Sequence, residues 1–111
     1  MHTKISLENP YGYNRFGFAW EHVPVGRDGH LDFGCHNGAF LNKLKLKKTG
    51  RLVGVDVSER AVEEGHQRFP ELEIIKINEA SALPFNNATF GSVTFWMFLS
   101  MFIIKLSFWL S

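Results

Sequence analysis

The chain has 111 residues, of which 45% are hydrophobic and 21% charged, with a formal net charge of +1. That describes one small globular domain and removes any bulk electrostatic argument for a nucleic-acid or anionic-membrane partner. Cys35 is the single cysteine, so an intrachain disulfide is excluded, in keeping with a reducing compartment.

Residues 1–28 are rich in Gly, Pro, Asn and aromatics and lack the apolar run of a signal peptide. They read as an irregular lead-in with one short helix near Phe16 to His22. His30 to Phe33 is a short strand, and the glycine-bounded loop Gly34 to Gly38 follows it. Ala39 to Lys48 has helical spacing, with Phe40, Leu41 and Leu44 on one face. Lys43, Lys45, Lys47 and Lys48 occupy the other face and are expected to be solvated. Thr49-Gly50 ends this helix.

Arg51 to Val57 is a second strand, apolar on both faces as in a buried parallel sheet. Ser58 is an N-cap residue, Glu59 suits a first helical turn, and Pro70 stops the helix. Leu72 to Ile77 is a third strand; a loop over Asn78 to Asn87 leads to a fourth from about Ser92. The order βαβαββ, with helical crossovers, requires a mostly parallel sheet. The fold class is therefore α/β, a Rossmann-like doubly wound sheet, of which this chain carries the N-terminal half, about four strands.

The first loop does not match known phosphate cradles. Aligned on Gly34, the second and third glycines of G-x-G-x-x-G fall at His36 and Ala39, and no Gly-Lys-Ser/Thr follows. A nicotinamide-dependent oxidoreductase is disfavoured on that ground. Instead, acids follow successive strands. Asp32 ends the first, where a carboxylate repels phosphate and suits an ammonium or sulfonium. Asp56 ends the second, where a carboxylate can accept both ribose hydroxyls. Glu79 follows the third, within reach of an adenine amino group. Together they describe a phosphate-free nucleoside with a cationic tail. Cys35-His36 is not read as a nucleophile or metal pair, because adjacent side chains diverge and no second pair has zinc spacing. His2, His22, His30 and His66 are read as structural or exposed.

Leu31-Asp32-Phe33-Gly34-Cys35-His36-Asn37-Gly38 resembles the L-D-x-G-C-G-x-G motif of class I S-adenosylmethionine-dependent methyltransferases of small molecules. The resemblance continues through VGVDVS at 53–58, NEASALPF at 78–85 and ATFGSVTF at 88–95. It implies a cofactor, S-adenosyl-L-methionine, and a small-molecule acceptor. By the resemblance, Asp32 with the loop at Gly34, His36 and Gly38 would hold the methionine part. Asp56 with Val57 would bind the ribose, and Glu79 with Ala80 the adenine. Three family positions differ: His36 stands at the middle glycine, Glu79 stands where aspartate is commoner, and Gly91 replaces the usual acid before the fourth strand, the last two being mild changes.

The expected organisation is a lead-in at 1–28, a partial cofactor domain at 29–95 and an atypical hydrophobic tail at 96–111. The tail is expected to come from truncation or a frame shift, leaving the fourth strand as an exposed edge. The localisation read from the sequence is cytoplasmic. The alternative is an inactive remnant bound to a partner, or to a membrane through residues 93–110, an apolar run interrupted by Lys105.

Overall fold

β-branched and aromatic residues alternating along short runs set the sheet in this protein. The computed structural model describes residues 2–8, 14–78, 90–96 and 101–107, and for 2–8 and 106–107 the backbone alone. The elements in chain order are β1 (His2–Glu8), α1 (Arg15–His22), β2 (His30–Phe33), α2 (Ala39–Leu44), β3 (Leu52–Asp56), α3 (Glu59–Arg68), β4 (Glu73–Lys76), β5 (Ser92–Trp96) and β6 (Met101–Ser107). The six strands form one sheet in the order β1-β6-β5-β2-β3-β4. β5, β2, β3 and β4 are parallel, while β6 runs against both β5 and β1. The Rossmann-like α/β architecture expected from the sequence is present.

The sheet reverses direction of growth between β2 and β5. From β2 the chain winds outward through β3 to β4, then returns to the other side of β2 as β5. Open α/β sheets bind ligands beyond the carboxyl ends of the strands at such a switch point. Side-chain alternation then assigns the faces. Leu31, Val53, Val55, Ile77 and Phe90 form the core on one face. Phe40, Leu41 and Leu44 of α2, Ala19 and Val23 of the α1 region and Val62 of α3 pack with Ile74, Met101 and Ile103 on the other. Among the described residues, all three helices therefore lie on the same face of the sheet.

Several local expectations hold. Ser58 caps α3, its hydroxyl accepting from the Ala61 amide at 3.1 Å. β2 has the expected bounds, and a helix runs close to the expected 16–22. Others need correction. The helix expected over 39–48 ends at Leu44; the amides of Lys45, Leu46 and Lys47 turn back to carbonyls three residues earlier instead. Lys47 does not lie on a solvated face. Its ammonium donates to the Trp20 and Val23 carbonyls at the end of α1, satisfying groups a helix terminus leaves open. Lys45 pairs with exposed Glu71.

The two ends of the described chain also differ from expectation. Residues 2–8, read as irregular, form β1, and the hydrophobic tail supplies β6. β5, expected to be an exposed edge, is flanked by β2 and β6. The tail can do this because Phe102, Ile103 and Ile104 favour extended backbone, and Met101 and Ile103 bury fully against the helices. Its apolarity therefore serves a strand, and no helix among the described residues is long and apolar enough to cross a membrane.

Leu41 is fully buried where α2 meets the sheet. Leu41→Ala is expected to lower unfolding free energy by about 2–5 kcal/mol. Urea denaturation checks this; a loss well under that range would mean α2 is not seated in the core.

Candidate functional site

β2 and β5 share more than a ladder. Their register sets His30 opposite Ser92 and Asp32 opposite Thr94, all on the helix-covered face. All four side chains are buried. The Thr94 hydroxyl donates to Asp32 Oδ1 at 2.5 Å, and the Trp96 indole N–H donates to the same oxygen at 2.6 Å. His30 Nε2 lies 2.7 Å from Thr94 Oγ1, and Nδ1 lies 2.7 Å from Ser92 Oγ. Thr94 has spent its one proton on Asp32, so it accepts from Nε2–H, and Nδ1 accepts from Ser92. The result is a directed chain, Ser92 to His30 to Thr94 to Asp32. Burial pushes the His30 imidazole down to about 3, with Lys47 adding to the effect, so the ring is neutral. Burial raises the Asp32 carboxyl to about 6 against the pull of the Thr94 and Trp96 hydrogen bonds, and nearby Asp56 adds to the rise. Asp32 Oδ2 has no hydrogen-bond partner.

The loop after β2 is held by Asp56. One of its carboxylate oxygens accepts the His36 amide at 2.7 Å and the other accepts the Ser58 amide at 2.9 Å. Gly34 has φ +81°, and a Cβ there would sit 3.3 Å from the Trp96 carbonyl, so the loop passes tightly over the end of β5. His36 adopts φ +55° where the family motif has glycine. Histidine tolerates the left-handed region better than most residues, at a cost of roughly 1–2 kcal/mol. Its side chain is exposed, and this conformation lets its amide reach Asp56.

Beyond this loop lies a cleft of about 430 Å³ lined by Arg15, Phe16, Gly34, His36, Phe40 and Trp96, with Cys35 beneath. That size suits a small organic ligand. Phe16, Phe40 and Trp96 contact one another with ring centroids 5.1–5.4 Å apart. The Arg15 guanidinium stands 5.3 Å over the Trp96 ring. Burial raises the Cys35 thiol strongly, and Asp32 and Asp56 add to this, so it stays protonated and is a poor nucleophile.

Of the residues singled out in the sequence, Gly34 and His36 line the cleft. Asp32 lies behind Trp96 as part of the buried chain. Asp56 is half-buried under the loop, and Val57 is 53% exposed beside it. Gly38 packs away from the cleft, against Ile74 and Leu72. Glu79 and Ala80 lie outside the described residues. Sequence reasoning missed Arg15, Trp96, His30, Ser92 and Thr94. The signal for the last three was polar residues two apart in both His30-Leu31-Asp32 and Ser92-Val93-Thr94.

A family model described as "Methyltransferase domain" matches residues 31–105. The chain belongs to this family. The methyltransferase domain is 32% identical over 74 residues to a demethylmenaquinone methyltransferase of Symbiobacterium thermophilum, covering 60% of this chain and 30% of that protein. A chain from the complex between a Haloferax volcanii methyltransferase activator and the methyltransferase named with it aligns with TM-score 0.61 and 24% identity. That alignment covers 74% of this chain and 38% of the other. The MccD protein aligns with TM-score 0.59 and 22% identity over 73% of this chain and 38% of its own. These structural likenesses show the fold. The methyltransferase domain thus spans about a third of the length of the proteins it matches.

Two predictions follow from the geometry. Between about pH 4 and 6 the folded state holds a proton on Asp32 that the unfolded chain has released, so falling pH stabilises through this group. Between about pH 6.5 and 3 the unfolded chain protonates His30 while the folded state refuses the proton, so falling pH destabilises. The two slopes oppose one another from pH 6 to 4. Asp32→Asn should leave His30 uncompensated and lose about 2–3 kcal/mol relative to wild type across that window. Urea unfolding at pH 4, 5, 6 and 7 reads the difference; parallel profiles would contradict the assignment. At the loop, His36→Gly should be close to neutral, whereas His36→Val should cost about 1–3 kcal/mol, because a β-branched residue is strained at positive φ. Equal effects of the two substitutions in thermal melts would count against the left-handed conformation.

Proposed function

We propose that this chain forms the cofactor-binding half of an S-adenosylmethionine-dependent methyltransferase acting on a small-molecule acceptor. The observation that carries the reading is the buried Asp32 carboxylate, one oxygen unpartnered, behind a cleft at the sheet's switch point. Its negative field favours a cation and opposes a phosphate. Membership of the methyltransferase domain family supports the same reading.

The residues present fit such a nucleoside. Asp32 would offset the positive end of the methionine part, and the backbone at Gly34 and His36 would lie along it. Each Asp56 oxygen is held by one amide and retains acceptor capacity, so the carboxylate can hold the loop and still accept from ribose hydroxyls. Glu79 and Ala80 remain the candidates for the adenine. The bound cofactor supplies a methyl group on a sulfonium, already a good leaving group. The protein's part is therefore mainly positioning and exclusion of water. Phe16, Phe40 and Trp96 give the cleft an apolar wall that would shield the reacting centre and accommodate an apolar acceptor. The relative whose name specifies demethylmenaquinone supports an acceptor of that character.

Isothermal calorimetry with S-adenosylhomocysteine is expected to show one site per chain, with NAD showing none. Asp56→Ala should weaken the binding by about tenfold or more, through loss of ribose hydrogen bonds and of the loop's anchor. Absence of heat and of any thermal shift with wild type at millimolar ligand would remove the cofactor reading.

A further inference from the structure

We infer that His30 is a positioning residue for this site: its tautomer, passed on through Thr94, sets whether Asp32 meets a ligand as a charged acceptor or as a neutral acid. This rests on the cofactor reading above and adds to it a second state of the site. Two proton arrangements are open to the same four side chains. Thr94 Oγ1 lies 2.5 Å from Asp32 Oδ1 and 2.7 Å from His30 Nε2, and a hydroxyl can donate only once. With Asp32 ionised, Thr94 donates to Oδ1, Nε2–H donates to Thr94, and Ser92 donates to Nδ1 at 2.7 Å.

Protonation of Asp32 reverses every one of these bonds. A proton on Oδ2 would be a buried donor without an acceptor, because that oxygen has no hydrogen-bond partner among the described residues. On Oδ1 the proton points at Thr94. Thr94 then donates to Nε2, the imidazole carries its proton on Nδ1, and Nδ1–H donates to Ser92 Oγ. One proton is taken up from water, the ring holds one proton in both states, and no heavy atom has to move. Burial pushes the imidazole down to about 3, so the ring stays uncharged in both. The Trp96 indole N–H is a fixed donor and bonds Oδ1 in either state. A cationic tail needs the ionised carboxylate. Ligand and proton therefore exclude one another, and binding favours the Nε2–H tautomer. Among the described residues, the other ionisable groups facing the relay are Asp56 of β3 and Cys35 of the loop, beside Asp32, and Lys47, beside His30. Lys47 in turn faces Lys105 of β6 and Glu21 of α1, and Arg15 of α1 stands over Trp96.

Two ligands and one imidazole ring test this on the full chain. S-adenosylhomocysteine carries an ammonium on its tail and methylthioadenosine carries none, so the ratio of their affinities cancels titration of the neighbouring groups. Calorimetry should show wild type preferring S-adenosylhomocysteine at about pH 7.5, with the preference falling about tenfold at about pH 5, since only the ionised fraction of a group titrating at about 6 is competent. Long-range proton–nitrogen NMR of the His30 ring should show the Nε2–H tautomer at the higher pH and the Nδ1–H tautomer at the lower. Saturation with S-adenosylhomocysteine at the lower pH should return the ring to Nε2–H. Thr94→Ser keeps the hydroxyl and should behave as wild type. Thr94→Val removes it and should hold the His30 tautomer constant across the range while S-adenosylhomocysteine still binds. If the wild-type ring keeps one tautomer, or if the ligand preference does not change with pH, the inference falls while the cofactor reading stands. If wild type binds no S-adenosylhomocysteine, both fall together.

Discussion

The hydrogen-bonded chain between β2 and β5 is the constraint on which the rest of this structure depends. Four polar side chains are buried on a sheet face otherwise packed by helices. Buried groups of this kind are costly unless partnered, and each partner here sits on the neighbouring strand. A slip of β5 by one residue would turn Ser92 and Thr94 to the opposite face and leave His30 and Asp32 unsatisfied. The chain therefore fixes the pairing at the place where the sheet reverses and the cleft opens.

The same arrangement makes the site an electrostatic compromise. Asp32 accepts two hydrogen bonds on one oxygen and none on the other, which leaves its charge only partly stabilised. A site that held the carboxylate fully satisfied would be more stable and would have less to offer a cation. Asp56 shows the complementary solution. Its two oxygens are each held by an amide, its environment is wetter, and its role in shaping the loop is separable from any role toward a ligand.

Much of the fold was legible in the sequence because it is written locally. Short apolar runs bounded by Gly, Pro and Asn marked β2, β3 and β4, and Ser58 announced the helix it caps. The acids at strand ends and the glycine loop pointed to the end of the sheet where the cleft opens. What stayed hidden depends on distant partners. His30 meets Ser92 and Thr94 across 62 and 64 residues, so the polar alternation of His30-Leu31-Asp32 gains its meaning only when Ser92-Val93-Thr94 is set beside it. Lys47 looked like one of four solvated lysines until α1 brought two open carbonyls to it. β1 was missed because its partner lies far along the sequence, and β6 because an almost uninterrupted apolar run reads as a foreign or membrane-bound tail before it reads as a strand.

That last pairing also bears on how the molecule assembles. His2 lies opposite Ser107 and Glu8 opposite Phe102, so β1 and β6 join segments from opposite ends of the sequence. Closing a loop of roughly a hundred residues costs about 4 kcal/mol in chain entropy before any contact within it is made. The β2–α2–β3–α3–β4 unit needs only short closures and can form without that outlay. The loop that shapes the cleft is anchored within this early unit, by Asp56 and Ser58. Trp96 reaches the site from β5 across a separation of 64 residues from Asp32, so the half that closes over the loop carries the larger closure cost.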